Sequence, residues 1–97
     1  MATFIVLASF TDQGIRSVKE TTKRADAARE QAKKMGITMK SIHWTIGSYD
    51  LVIEFDAPDD ATMAAFAMAT GTAGNIRTQT LRAFSKDEVT GMLAKVK

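Results

Sequence analysis

The tightest constraint on this chain lies near its centre. Two strand-like runs, Ile37 to Ile46 and Tyr49 to Asp56, are separated by Gly47-Ser48 alone. Glycine at the first position of a two-residue loop suits a type II′ hairpin turn, and such a turn fixes the strand register. Ile46 then faces Tyr49, Trp44 faces Leu51 and Ile42 faces Ile53, all on one side that must meet helices. The other side pairs Thr45 with Asp50, His43 with Val52, and Ser41 with Glu54. One hairpin therefore predicts an apolar side and a mixed polar side.

The flanking segments supply the rest of a sheet and its cover. Thr3 to Phe10 is apolar in both alternate sets: Phe4, Val6, Ala8 and Phe10 on one face, Ile5 and Leu7 on the other. A strand apolar on both faces is central, in a sheet covered on both sides. Thr11-Asp12 offers a helix cap, and Ile15 and Val18 anchor a short turn that Thr21-Thr22 interrupts. From Lys23, the stripe Ala25, Ala28, Ala32, Met35 predicts a helix stopped by Gly36. Pro58-Asp59-Asp60 starts the next helix, with Met63, Phe66, Ala67 and Thr70 along one side and Gly71 and Gly74 at its end. Asn75 to Phe84 reads as the fourth strand. Ser85-Lys86-Asp87-Glu88 is a capping box, and Val89, Met92, Leu93, Val96 give the spacing of a terminal helix. The order is β-α-β-β-α-β plus a helix. That predicts an α+β, ferredoxin-like fold with a four-stranded antiparallel sheet, in one domain over residues 1–97.

Composition removes several classes of function. The chain has no cysteine, which excludes disulfides, thiolate zinc sites and thiol nucleophiles. The apolar run Phe4-Ile5-Val6-Leu7 has no basic segment before it and is too short for a signal core or a membrane span. A cytoplasmic protein with no membrane association is expected. The basic residues Lys19, Lys23, Arg24, Arg29, Lys33 and Lys34 share the first helical region with Asp26 and Glu30 at pairing distances. That pattern describes a solvated helix face. No aromatic stacking platform accompanies it, so no nucleic-acid partner is expected. Gly71-Thr72-Ala73-Gly74 follows a helix instead of preceding one, at the end that repels anions, and reads as a cap and turn.

A sheet covered by helices on one side only leaves the second apolar face of the first strand bare. A second copy of the same sheet resolves this, so a homodimer or higher homo-oligomer is expected, with sheets face to face around a partly polar cavity. Three segments in order carry a resemblance that points the same way. They are Thr11-Asp12-Gln13-Gly14-Ile15, then Trp44-Thr45-Ile46-Gly47-Ser48-Tyr49-Asp50 running into Leu51-Val52-Ile53, then Gly74 to Phe84. Together they resemble the GYD-domain family over essentially the full chain. The resemblance implies a dimeric α+β barrel. Barrels of that kind host cofactor-free oxygenases, haem enzymes, lactone isomerases and amino-acid-sensing regulatory domains, so fold does not choose function.

Candidate site residues follow from the polar side of the hairpin. His43, the one histidine, stands diagonally from Asp50 and Glu54 at roughly 7–8 Å by backbone. A carboxylate orients an imidazole and raises its basicity, so these three are the candidate acid–base groups. The alternative is a polar sheet face satisfied by water or by the partner copy. Ser41, Thr45, Tyr49, Arg77 and Arg82 complete the candidate ligand-binding set. Arg77 and Arg82, five apart on one strand, face opposite sides, and one of them should look into the cavity. Tyr49 is expected on the helix side, opposite Ile46 with its hydroxyl at the sheet edge, and Asp50 on the polar side, tying down the turn; the functional alternative sets the Asp50 carboxylate at the cavity mouth and the Tyr49 hydroxyl on a ligand. No cofactor or resident metal is expected. Three functions stay open: a dimer binding a small-molecule ligand between its sheets in a regulatory role, a small acid–base enzyme, or an assembly module without chemistry.

Overall fold

The computed structural model, which describes residues 1–97, has the predicted element order. β1 (Ala2–Phe10) leads through α1 (Asp12–Arg16) and a 3-10 turn (Val18–Glu20) into α2 (Thr21–Lys34). β2 (Thr38–Trp44) and β3 (Leu51–Ala57) form the hairpin. α3 (Asp60–Thr72) leads to β4 (Ile76–Ala83), and α4 (Lys86–Met92) ends in a 3-10 turn (Leu93–Lys95). The sheet is antiparallel in the order β2-β3-β1-β4, so the doubly apolar β1 is indeed internal.

Local chemistry starts the helices. The Thr11 side chain accepts from the Gly14 amide, Asp59 accepts from the Thr62 amide, and Ser85 and Glu88 close the reciprocal capping box. Thr21-Thr22 does not interrupt a helix but begins one. The irregularity lies earlier, at Ser17, whose carbonyl and hydroxyl accept from Arg24 Nη1 at 3.0 and 2.9 Å. Gly14 is needed for close approach, since a Cβ there would collide with the Asn75 carbonyl oxygen.

One face of the sheet carries the core. Phe4, Val6 and Ala8 of β1 and Leu51, Ile53, Phe55 and Ala57 of β3 are buried under Ala32 of α2 and Met63 and Phe66 of α3. Phe55 and Phe66 meet edge to face at 5.3 Å. α2 rests on β2, while α3 rests on β3 and β4.

Two departures from the expected hairpin matter. First, the loop is longer than two residues. β2 stops at Trp44, the Thr45 amide donates to the Asp50 carbonyl at 2.8 Å, and 46–49 form the loop. Ile46 does not face Tyr49 but is fully exposed, and Gly47 has φ 125°, too large for the first corner of a type II′ turn. Second, the pairs Trp44↔Leu51, Ile42↔Ile53, His43↔Val52 and Ser41↔Glu54 form as expected, but a bulge follows. Met39 pairs with Phe55 and Lys40 is the extra residue, which returns Met39 to the core side.

The terminal helix forms without packing. Its apolar stripe, Val89, Met92, Leu93 and Val96, is exposed, with Val96 at 72%. Its base is held by Arg82, whose guanidinium lies 4.4 Å from the Phe84 ring centre and 3.6 Å from the Glu88 carboxylate.

Candidate functional site

The face of the sheet away from the core is left without a partner. By register it presents Thr3, Ile5, Leu7 and Ser9 of β1, Val52, Glu54 and Asp56 of β3, Ser41 and His43 of β2, and Arg77, Gln79, Leu81 and Ala83 of β4. Ile5, Leu7 and Val52 are half-buried and Leu81 is 40% exposed, so an apolar island occupies the centre.

Both ends of this island are closed by hydrogen bonds. At one end, Thr3 Oγ1 donates to Asp56 Oδ1 at 3.0 Å, and Lys40 Nζ lies 3.6 Å from Asp56 Oδ2. The bulge is what brings Lys40 there. At the other end, the Tyr49 hydroxyl donates to Gln79 Oε1 at 2.8 Å, and Ser9 Oγ donates to the Ser48 carbonyl at 3.2 Å. Tyr49 precedes β3 and Gln79 lies on β4, so the tyrosine reaches across β1 on the open side. Its expected place on the helix side is therefore corrected: the longer loop frees it from the strand's alternation.

The acid–base trio is not assembled. Asp50 Oδ2 accepts from the Phe10 amide at 2.8 Å, while its own amide donates to the Ala8 carbonyl at 2.8 Å. Asp50 thus bolts the hairpin loop to the end of β1. His43 and Glu54 do share the open face, one register step apart, but His43 is exposed and makes no side-chain hydrogen bond or ion pair. No three His, Asp or Glu side chains converge as a metal site would need. Thr45 is exposed and donates to the Tyr49 carbonyl at 2.6 Å, so it braces the loop.

The arginines separate as expected. Arg77 pairs with Ser9 on the open face and is exposed. Arg82 pairs with Phe4 on the helix side, away from the open face. Its guanidinium stacks over Phe4 and Phe84 and donates to the Thr3 and Ala83 carbonyls, so it braces the base of α4. Two carboxylates have resolved shifts, both downward. Asp59 is held low by the Thr62 backbone amide and Glu88 by the Ser85 backbone amide. Both belong to helix N-termini outside the open face, Asp59 as the N-cap of α3 and Glu88 as the third residue of the α4 capping box.

Sequence reasoning missed Lys40, Asp56 and Gln79. Lys40 and Asp56 had a readable signal: the apolar positions change parity between Met39 and Ile42, which a regular strand cannot do. Gln79 had none, since its link to Tyr49 spans 30 residues.

The motif residues Gly47, Tyr49 and Asp50 thus act together to shape and latch the β2–β3 loop. No helix of the chain is long and apolar enough to cross a membrane. No solved structure matches this chain. A protein of Thermus thermophilus named "glutamine synthetase and cystathionine beta-lyase binding protein" is 31% identical over 98 residues, covering all of both chains. The family model of the GYD domain matches residues 4–93. The chain belongs to the GYD domain family.

Proposed function

We propose that this chain works by binding, not by catalysis. Two copies associate through their open sheet faces as a dimeric α+β barrel in the cytoplasm, and the assembly docks on an enzyme of amino-acid metabolism. The observation that carries this reading is the apolar island of Ile5, Leu7, Val52 and Leu81, closed at both ends by polar pairs and covered by no helix of the chain. An apolar centre with a polar rim is the anatomy of a protein interface. Four strands at about 4.8 Å spacing and seven residues at about 3.3 Å give a face of about 440 Å² in plan. A stable interface takes about 800 Å² of accessible surface from each partner, so the open face would supply the centre of such an interface and its surroundings the rest.

Ser41, His43, Glu54 and Arg77 would then line the space between the sheets, where a small polar ligand could be held. The partner class rests on the Thermus thermophilus relative, whose name states binding to glutamine synthetase and cystathionine beta-lyase.

Sedimentation velocity at micromolar concentration tests the dimer. Wild type should sediment as a dimer, and Leu81→Asp should sediment as a monomer with an unchanged circular dichroism spectrum. A monomeric wild type overturns the open-face reading. Surface plasmon resonance against purified glutamine synthetase and cystathionine beta-lyase then tests the partner class, and silence with both enzymes removes it.

A further inference from the structure

A second site lies on the opposite side of the sheet. α2 and α3 straddle the sheet with alanines where larger residues would close the gap: Ala25 and Ala28 on one wall, Ala67 on the other, with Thr70 beyond it. Between them is a cleft of about 70 Å³, floored by Val6, Ile53 and Phe55. A dry apolar cavity of about 150 Å³ takes benzene, so the enclosed part here suits about three carbons. The cleft is partly open, which lets a longer chain continue outward.

One end of the cleft is cationic. Arg24 lines it, half-buried, with its guanidinium 5.9 Å from the Phe10 ring centre. Nη1 donates to Ser17 and Nη2 to the Gly14 carbonyl, yet no carboxylate lies within ion-pair distance of this arginine. Nε–H and one Nη2–H keep no partner, which is the number of donors a carboxylate takes from an arginine fork. Arg24 also stands in the first turn of α2, whose N-cap, Glu20, makes no side-chain cap hydrogen bond. The amides of that turn add to the attraction for an anion.

We infer that the α2–α3 cleft binds a short aliphatic carboxylate, with its head at Arg24 and its tail between the alanine walls. The helices point away from the open face, so a face-to-face dimer leaves this cleft accessible. The site therefore stands or falls independently of the dimer.

The protein carries its own reporter. Trp44 is the sole tryptophan, and its indole N–H donates at 3.1 Å to Thr21 Oγ1, a residue that lines the cleft. Tryptophan fluorescence titrated with hexanoate, hexanol and acetate tests the inference on the full chain. Hexanoate should give a saturable change, with at least tenfold weaker responses to hexanol, which lacks the charge, and to acetate, which lacks the tail. Ala67→Leu, which fills the cleft, should abolish the hexanoate response while raising or preserving the melting temperature. Arg24→Lys keeps a charge but loses the fork, and should weaken hexanoate without changing hexanol. Equal responses to hexanoate and hexanol would overturn the head-group assignment. No saturable response to hexanoate, or a response that survives Ala67→Leu, would overturn the site.

Discussion

On the covered face, β3 contributes Leu51, Ile53, Phe55 and Ala57, and every one is buried. On the open face the same strand contributes Val52, Glu54 and Asp56, and none is. The two faces also differ in how they are finished. The covered face is closed by side chains from two helices, but those helices face each other with Ala25 and Ala28 on one and Ala67 on the other, so the cover has a gap. The open face has no cover, yet its ends are sealed by Thr3–Asp56–Lys40 and Tyr49–Gln79. Stability is therefore concentrated on the covered face, whereas the open face leaves an apolar centre without a helix to pack on. Mutation can test that division directly.

The largest effect is expected under the helices. Phe55 is 2% exposed and meets Phe66 edge to face. Phe55→Ala should cost about 3–5 kcal/mol, read by urea unfolding. A loss below about 1 kcal/mol would mean that the covered face does not dominate stability, and the contrast between the faces would fail.

Next in size is the loop bolt. Asp50→Ala leaves the Phe10 amide without its acceptor, in a partly buried position, and should cost about 1–3 kcal/mol. Asp50→Asn keeps an acceptor oxygen and should recover a large share of that loss. Equal losses in both variants would show that charge, not the hydrogen bond, holds the loop.

On the open face the expected cost is smaller. Tyr49→Phe removes a single neutral hydrogen bond to Gln79, exposed to water, and should cost about 0.5–1.5 kcal/mol. If the open face is a dimer interface, that loss should grow with protein concentration, because association stabilises the folded chain by mass action. A loss independent of concentration would confine Tyr49 to its role within one chain.

What was legible in the sequence follows the range of the forces involved. Strand and helix periodicity placed β1 inside the sheet and Met63 and Phe66 in the core, because burial on one face writes itself into alternate residues. The caps at Thr11, Asp59 and Ser85 were readable because each acts within three residues. The acid–base trio of His43, Asp50 and Glu54 failed at Asp50, while the other reading of that residue, as the tie of the turn, held. Alternation alone assigned that residue a direction, whereas a contact forty residues distant, the Phe10 amide, decides it. Tyr49 failed for the same reason, once the loop grew beyond two residues. The terminal helix shows the converse. Its capping box forms a helix locally, while the stripe Val89, Met92, Leu93, Val96 predicted packing that one chain does not supply.

The smallest effect separates the two helix caps by what their helices touch. Asp59 and Glu88 both titrate below the ordinary carboxylate range, chiefly because a backbone amide donates to each, from Thr62 and Ser85 respectively. A lowered folded value means that the contribution is complete above the ordinary range and is lost as pH falls through the folded value. The chemistry is the same, but α3 carries Met63 and Phe66 into the core, whereas every residue of α4 is exposed. Protonating Asp59 should therefore lower the global melting temperature on the acid limb, and Asp59→Asn should flatten that limb. Protonating Glu88 should only fray α4, visible as faster amide exchange at Val89 and Thr90, with the melting temperature unmoved by Glu88→Gln. If Glu88→Gln instead flattens the acid limb as much as Asp59→Asn, α4 is coupled to the core. Within one chain the route for that coupling is Arg82, whose guanidinium lies 3.6 Å from the Glu88 carboxylate and 5.7 Å from the ring centre of the buried Phe4.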